Sequence, residues 1–457
     1  MTSPSYVSTR GRSPLTDFAG TVINGIAPDG GLFAPSVWPR LELDALIAGG
    51  ADYATLAERL LTPFVGEGLP EGALAAATRR VQERFLHPDV VPLVELEPGL
   101  HVLELFHGPT AAFKDLAMQL VAGMAESLLA TTGERLLLVT ATSGDTGAAA
   151  VKAFAGAERI DLVVLHPLGR VSPMQRLQMT TSGASNVLNL AVRGDFDDCQ
   201  RLLKRLLSET GKTKTTRRVS SVNSINWARL SGQAPYYAAT AAKLAEPATY
   251  VVPTGNFGDA FAGWVARQCG LPIGDLVAAT NRNDALVRAL HTGVYERTQA
   301  EPTASVSMDV QAPSNFERLV FEATGRDADL TRGLFEDFNK AGRVTLPDEV
   351  LAALRREVSA VSVSEAETVA EMQRTWRENG RVICPHTAVA LHAARRIERT
   401  GPVVALSTAH PAKFPDSVEA ALGFAPERPP QLQGLEGQTE RFETVDATLE
   451  AVLAAIG

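Results

Sequence analysis

Cysteine is scarce in this chain: the 457 residues contain three, Cys199, Cys269 and Cys384, which lie far apart. No C-x-x-C pair is present, so the sequence supports neither a disulfide framework nor a structural zinc site. The histidines also lack the spacing of metal ligands, and we predict no metal site. So few thiols suit a reducing compartment, and we expect a cytoplasmic protein.

Long apolar runs and an excess of basic charge are missing as well. No run approaches the ~18 residues of a membrane span, and residues 1–4 lack the features of a signal peptide. The 52 acidic residues outnumber the 43 basic ones, giving a formal charge of −9. This balance argues against general affinity for nucleic acid or an anionic membrane, but it leaves room for a local pocket that binds a small anion. We therefore expect a soluble, intracellular protein with a small-molecule partner.

Short apolar runs of buried-strand type alternate with helix-like segments through the middle and later parts of the chain. The predicted strands cover residues 136–140, 161–166, 248–253, 276–280 and 402–407. Strands that alternate with helices predict an α/β fold, with βαβ units and a largely parallel sheet covered on both faces. Such sheets bind ligands at the carboxyl ends of their strands.

Changes in pattern divide the chain into three predicted parts. An N-terminal part spans residues 1–95 and ends after a proline-containing stretch. An α/β body spans 96–424 and includes a mostly helical region at about 303–381. Residues 425–457 form a linker rich in Pro, Gly and Gln, followed by a short amphipathic helix over 445–456 that docks back on the body.

Two glycine loops follow predicted strands and open predicted helices. They are Ser-Gly-Asp-Thr-Gly at 143–147 and Gly-Asn-Phe-Gly-Asp at 255–259. Glycine lets the backbone approach an anion closely, and a helix N-terminus offers free N–H groups. Each loop could also be a tight turn or a helix cap without a ligand. Neither loop is a Walker loop or a G-x-G-x-x-G fingerprint.

Two further segments carry groups able to do chemistry. Lys114 lies in a fairly apolar stretch, and a partly buried lysine has a lowered pKa and can form a Schiff base; the alternative is a surface lysine paired with Asp115. Residues 223–229, Asn-Ser-Ile-Asn-Trp-Ala-Arg, could bind a phosphate, or they could be a capped helix start with an exposed arginine. His386 and His410 each adjoin a proline and are predicted to be loop histidines. No G-x-S-x-G motif supports a serine hydrolase.

Several motifs, taken together and in order, resemble one known family. The string LFHGPTAAFKDLAM at 105–118 is similar to the cofactor-lysine segment of the threonine synthase family. The other similar strings are YVSTRG at 6–11, DGGLF at 29–33, TSGDTG at 142–147, SINWAR at 224–229, PTGNFGD at 253–259 and STAHPAKF at 407–414. The resemblance covers roughly residues 6–415.

This resemblance implies a fold, a cofactor and a reaction. The fold is the type II pyridoxal-phosphate fold, similar to the tryptophan synthase β subunit, with an additional N-terminal domain. The cofactor is pyridoxal 5′-phosphate (PLP), and the enzyme is a carbon–oxygen lyase acting on a phosphate. The reaction converts O-phospho-L-homoserine and water to L-threonine and phosphate, and the protein would work as a monomer or a homodimer.

The family's site residues carry over onto matching positions of this chain. Lys114, next to Phe113, would hold the cofactor as a Schiff base, and Thr408 would face the pyridine nitrogen. The cofactor phosphate would be bound by Gly255, Asn256, Phe257, Gly258 and Asp259. The substrate carboxylate would be bound by Ser143, Gly144, Asp145 and Thr146. The substrate phosphate would be bound by Ser224, Asn226 and Arg229.

One position departs from the pattern of many type II enzymes, which carry asparagine where this chain has Asp145. That asparagine bonds the cofactor's 3′-oxygen, and a carboxylate beside a phenolate-like oxygen would be repelled. We therefore assign Asp145 to the substrate loop.

Three other functions stay open on the sequence alone. A serine or threonine dehydratase of the same fold would have no need of Arg229. A paralogue that binds the cofactor without turnover is disfavoured by the intact motifs around Lys114 and Thr408. A nucleotide-binding protein could use residues 255–259 for pyrophosphate, but it would show no Schiff-base absorption.

Overall fold

Apolar runs build the two central sheets of the protein. The computed structural model describes residues 4–209, 218–398 and 400–457. The strands of this part are, in chain order, β1 (Tyr6–Ser8), β2 (Phe33–Pro35), β3 (Leu93–Glu97), β4 (Leu100–Glu104), β5 (Leu136–Ala141), β6 (Ile160–Pro167), β7 (Val187–Arg193), β8 (Arg218–Ser221), β9 (Ala248–Pro253), β10 (Ile273–Thr280), β11 (Val294–Glu296), β12 (Arg343–Thr345), β13 (Ser359–Ser362), β14 (Val403–Ser407) and β15 (Glu443–Asp446).

Helices alternate with these strands and cover the sheets. They are, in chain order, α1 (Phe18–Asn24), α2 (Leu43–Ile47), α3 (Tyr53–Val65), α4 (Ala73–Arg84), α5 (Lys114–Thr132), α6 (Asp145–Phe154), α7 (Pro173–Thr180), α8 (Phe196–Glu209), α9 (Trp227–Ser231), α10 (Ala234–Ala241), α11 (Gly258–Gln268), α12 (Ala285–Thr292), α13 (Phe316–Ala323), α14 (Ala328–Ala341), α15 (Asp348–Glu357), α16 (Glu365–Asn379), α17 (Pro385–Arg395), α18 (Pro415–Leu422) and α19 (Leu449–Ile456). Within the described ranges, no helix has both the length and the apolar character needed to cross a membrane.

The two large sheets confirm the predicted α/β fold with largely parallel strands. One sheet has six strands in the order β13-β10-β9-β14-β4-β3, and the other has five in the order β15-β7-β6-β5-β8. The described neighbouring pairs in both sheets are parallel, except for the antiparallel pair β3 and β4. Strand β5 is buried at every position, as expected of a strand covered on both faces.

Each sheet has a point where its strand order reverses. Strand β9 lies between β10 and β14, and strand β5 lies between β6 and β8. Where the strand order reverses, the connections from neighbouring strands run to opposite sides of the sheet. This opens a crevice at the carboxyl ends of the strands, and ligands bind there. Both predicted glycine loops follow the central strands of these crevices, because β9 leads into residues 255–259 and β5 into residues 143–147.

An aromatic cluster joins the N-terminal segment to the α/β body. Trp227, the first residue of α9, has its ring 5.9 Å from the ring of Tyr6, 5.8 Å from that of Trp38 and 6.0 Å from that of Phe64. The Tyr6 hydroxyl also donates a 2.7 Å hydrogen bond to the Phe64 carbonyl oxygen. Packing on this scale stabilises the start of α9, and α9 carries Arg229 into the site described below.

The structure differs from the sequence-based expectations at three segments. The helix predicted over 445–456 begins at Leu449, and the residues before it form β15, which pairs with β7. The boundary predicted near residue 95 falls inside β3, an edge strand of the six-stranded sheet. The region 303–381 holds helices α13 to α16 but also contributes edge strand β13. Strands of four or five residues are too short for a periodicity to distinguish them from helix.

Candidate active site

A cavity at the strand ends gathers most of the predicted site residues. Those that line it are Phe113, Lys114, Ser143, Asp145, Thr146, Ser224, Arg229, Gly255, Asn256, Phe257, Gly258, Asp259 and Thr408. Gly144 and Asn226 lie outside this lining. Residues more than 290 positions apart in the chain therefore meet at one site, because the two crevices face the same cavity.

Lys114 is a buried amine at the first position of helix α5. The amide of Phe113 donates a 2.8 Å hydrogen bond to the Thr408 carbonyl oxygen, which fixes the start of the helix against the end of β14. The Lys114 side chain is 13 % exposed, and its Nζ lies 3.2 Å from Asp145 Oδ2. Burial lowers the pKa of this amine, Arg229 adds to that effect, and Asp145 opposes it. A buried amine with a lowered pKa is a good nucleophile and base.

The loop at residues 255–259 is built to receive an anion. Phe257 adopts the left-handed conformation at φ 60°, and a β-carbon at Gly255 would lie 2.6 Å from the Ser307 carbonyl oxygen. Within the described part of the chain, the amide groups from Gly255 to Asp259 donate to no protein acceptor. They adjoin the N-terminus of helix α11, where free N–H groups and the helix dipole favour a phosphate.

The Asp259 carboxylate points away from this anion site. It accepts hydrogen bonds from the hydroxyls of Tyr236 and Tyr237, the second at 2.9 Å. Burial raises the pKa of Asp259 to about 6, although both tyrosine hydrogen bonds oppose the rise. The loop therefore presents backbone amides rather than a negative charge to the cavity.

Asp145 connects several polar groups around the cavity. Its Oδ1 accepts from Gln175 Nε2 at 3.0 Å and lies 3.1 Å from Lys413 Nζ, while its Oδ2 accepts from Ser307 Oγ at 3.2 Å. Burial disfavours the charged carboxylate, but Lys413 and Lys114 outweigh it and hold the pKa of Asp145 well below its usual range. Asp145 is thus an ionised carboxylate with a lysine on either side.

Gly144 has a structural role next to Asp145. It adopts φ 133°, and a β-carbon there would collide with the Gln175 side chain that bonds Asp145. The amides of Gly144 and Gly147 both donate 2.9 Å hydrogen bonds to Thr142 Oγ1. These two amides are therefore unavailable to a substrate.

Arg229 brings a positive charge to the cavity from helix α9. Its Nη1 donates to the Val222 carbonyl oxygen at 2.7 Å and its Nη2 to Thr146 Oγ1 at 3.3 Å, while its buried Nε has no partner among the described residues. Burial lowers the pKa of the guanidinium to about 10, so it remains charged at neutral pH. Ser224 also lines the cavity, and its hydroxyl lies 3.4 Å from that of Ser314.

Asn226 was predicted to bind the substrate phosphate, but the structure places its amide elsewhere. Its Oδ1 accepts from the Arg229 amide at 3.2 Å and caps helix α9. Its Nδ2 donates to the carbonyl oxygens of Val22 and Ser221. The side chain is fully buried and outside the cavity lining, so it positions Arg229 and has no group left for a ligand.

Two cavity-lining residues, Ser307 and His386, and the fully buried Lys413 beside Asp145 had no role in the sequence analysis. Ser307 lies in the stretch predicted to be mostly helical, and nothing in its local sequence distinguishes it. His386 is not a loop residue but lies in helix α17; its Nε2 accepts from the Ser307 amide at 3.1 Å, and burial lowers its pKa to about 4. Lys413 ends a short 3-10 helix that His410 caps, and its place in the motif at 407–414 was the one signal available.

Comparisons with known proteins agree with this geometry. The family model for the threonine synthase N terminus matches residues 5–81, the one for pyridoxal-phosphate dependent enzymes matches 89–334, and the one for the threonine synthase C-terminal part matches 387–456. The threonine synthase of Pseudomonas aeruginosa is 40 % identical, over 99 % of this chain and 97 % of its own. The human protein named threonine synthase-like 2 is 38 % identical, over 95 % of this chain and 93 % of its own. A crystal structure of PLP-bound threonine synthase from Brucella melitensis superposes with a TM-score of 0.93 at 44 % identity, covering 99 % of both chains.

Proposed function

This chain belongs to the threonine synthase family of pyridoxal-phosphate-dependent enzymes, and from that premise we propose that it converts O-phospho-L-homoserine and water to L-threonine and phosphate. One observation carries the proposal: a single cavity holds the buried amine of Lys114, the amides at 255–259, which have no acceptor among the described residues, and the buried cation of Arg229. A phosphorylated cofactor and a phosphorylated substrate need two separate anion sites, and the cavity offers both.

The donor groups of the cavity fit PLP. The amides from Gly255 to Asp259 suit its phosphate, Lys114 Nζ suits its aldehyde, and Thr408 offers a neutral side chain for its ring nitrogen. When bound, PLP supplies an electron sink that stabilises negative charge developing on the substrate's α-carbon. This is the chemistry a lyase needs before a group can leave from the side chain.

In the proposed reaction the protein binds both ends of the substrate and moves a proton. Ser143 and Thr146 bind the carboxylate, while Arg229 and Ser224 bind the leaving phosphate. The Asp145 carboxylate, which would repel the substrate carboxylate, faces Lys114 and Lys413. Lys114 holds the cofactor and then takes the proton from the α-carbon; its lowered pKa favours the neutral amine that this step needs.

The proposal is tested by incubating the purified, PLP-loaded protein with phosphohomoserine in water enriched in oxygen-18. We expect threonine and phosphate in equal amounts, with the heavy oxygen in the threonine hydroxyl and not in the phosphate, because the carbon–oxygen bond breaks. Formation of a 2-oxo acid from serine or threonine without threonine synthesis would indicate a dehydratase. Bound PLP with no turnover would indicate a non-catalytic relative.

We also propose that the protein acts in the cytoplasm, as a monomer or a homodimer. In support of the location, the three cysteines are buried and unpaired, as suits a reducing compartment. Sedimentation of the purified protein distinguishes the two oligomeric states.

The proposed contact between Thr408 and the cofactor's ring nitrogen predicts the effect of Thr408→Asp. A hydroxyl leaves that nitrogen largely unprotonated, whereas a carboxylate would hold it protonated. We expect the variant to bind PLP with a changed absorption spectrum, to form much less threonine and to give more transamination products. Thr408→Ser is the matched control and should keep the spectrum. An unchanged spectrum and product ratio in PLP-loaded Thr408→Asp would place Thr408 away from the ring.

A further inference from the structure

Lys413 is a fully buried lysine that the proposed reaction does not use. Its side chain is 0 % exposed, and its Nζ donates to the Thr110 carbonyl oxygen at 2.7 Å and to Gln178 Oε1 at 2.8 Å. The same Nζ lies 3.1 Å from Asp145 Oδ1. These two hydrogen bonds use two of the three N–H donors of the ammonium group, and its charge lies beside the Asp145 carboxylate. Lys413 does not line the cavity, so any effect it has on the reaction passes through its neighbours.

The Asp145 carboxylate joins Lys413 to Lys114. Its Oδ1 faces Lys413 and its Oδ2 faces Lys114 at 3.2 Å, so one carboxylate lies between the two lysine nitrogens. A buried carboxylate next to a single lysine stabilises the charged form of that lysine. A second cation on the far oxygen weakens this pull, because it balances the carboxylate.

We propose that Lys413 is a positioning residue: its ammonium group fixes the Asp145 carboxylate and balances its charge, so that Lys114 gives up its proton more readily. This inference rests on the role proposed above for Lys114 as the cofactor lysine and base. It assigns Lys413 a task in the reaction without any contact with cofactor or substrate.

Besides Lys413 and Asp145, three other charged or titratable groups lie around Lys114. Arg229 from α9 disfavours a charged Lys114 and is a constant cation, while His386 from α17 is kept neutral by burial, its pKa lowered to about 4. The Asp259 carboxylate from α11 is directed to two tyrosines. Asp145 is the main neighbour that favours the charged amine, with a smaller contribution from Asp259, and Lys413 acts against the charged amine.

The test measures the titration of Lys114 in Lys413→Met, a neutral variant of similar length. In the full-length protein freed of PLP, the pH dependence of acetylation of Lys114 by trace acetic anhydride reports the pKa of the amine. We expect the midpoint to rise by about one pH unit or more in Lys413→Met. In the PLP-loaded protein the acid limb of kcat, which reports groups of the substrate complex in which Lys114 is a free amine, should move in the same direction. Lys413→Arg keeps the charge and should restore most of the wild-type midpoint.

Lys152→Met is the matched control, since Lys152 is an exposed residue of α6, the helix that begins with Asp145. It should leave the Lys114 midpoint unchanged. A folded Lys413→Met variant with the wild-type midpoint would overturn the proposal.

If Lys413→Met fails to fold, Gln178→Glu tests the same point. It places a carboxylate beside Lys413 Nζ, where the amide oxygen now lies 2.8 Å away, and it should also raise the midpoint; an unchanged midpoint overturns the proposal. The labelling needs no substrate, so a wild-type protein that makes no threonine would refute the proposed function while this result still decides the role of Lys413.

Discussion

Replacing Lys114 by alanine should lower kcat for threonine formation by about 10⁴-fold or more, because the variant loses both the covalent attachment of PLP and the proposed base. The fold should persist, since Lys114 is the first residue of α5 and the helix start is held by the hydrogen bond from Phe113 to Thr408. The amides at 255–259 should still bind the cofactor phosphate, so PLP binds without its bond to the protein. Steady-state kinetics and the absorption spectrum measure both effects.

A matched control for this variant is Lys152→Ala, which removes an exposed lysine of the neighbouring helix α6. It should keep wild-type kcat. Rescue of Lys114→Ala by a small primary amine would support the role of Lys114 as base. Turnover within tenfold of wild type in a folded Lys114→Ala variant would remove Lys114 from the reaction.

Replacing Arg229 by leucine should lower kcat/KM for phosphohomoserine by about 30- to 1000-fold. The estimate corresponds to ~2–4 kcal/mol for a lost charge-assisted contact with a buried phosphate. Arg229 donates to the Val222 carbonyl oxygen and to Thr146 Oγ1, and it lines the cavity, so its charge is placed to meet the substrate phosphate. The affinity for PLP should change little, because the cofactor phosphate binds at 255–259.

Two measurements separate a role in binding from a loss of structure in Arg229→Leu. Equilibrium titration with PLP should give near-normal affinity, and Arg229→Lys, which keeps a charge but not the guanidinium geometry, should fall between the variant and wild type. Arg193→Leu removes an exposed arginine at the end of β7 and serves as the control. Near-normal kcat/KM in Arg229→Leu would take this residue out of the substrate site.

The central strands could be predicted from sequence because they are buried on both faces. Strands β5, β6, β9, β10 and β14 are continuous apolar runs, and the structure has them within a few residues of their predicted bounds. Strand β15 was missed, since its residues Glu443–Asp446 are mostly exposed and only Val445 packs inward. Strand β15 forms because β7 is available to pair with it. The sequence pattern of residues 443–446 alone does not reveal that a neighbouring strand is available.

In the site, too, some residues could be predicted from the motif around them, whereas the contacts of others depend on distant parts of the chain. Lys114 and the loop at 255–259 were assigned roles through the family resemblance of their motifs, since their own segments also allowed a surface lysine and a plain turn, and the structure brings them to one cavity. The segment around Asn226 allowed two interpretations, a phosphate ligand or a helix cap. In the structure its Oδ1 caps α9 and its Nδ2 donates to the carbonyl oxygens of Val22 and Ser221, so it is a cap. Lys413 reaches Asp145 only through the packing of the fold, so its burial and its partners could not be derived from the neighbouring residues.

The most direct test of the account asks which lysine carries the cofactor. Borohydride reduction of the purified, PLP-loaded protein makes the bond between lysine and cofactor permanent, and proteolysis with mass spectrometry then identifies the modified peptide. The account predicts PLP on Lys114, within the peptide that spans the start of α5. Cofactor on Lys413, or on any lysine outside the cavity, would contradict it.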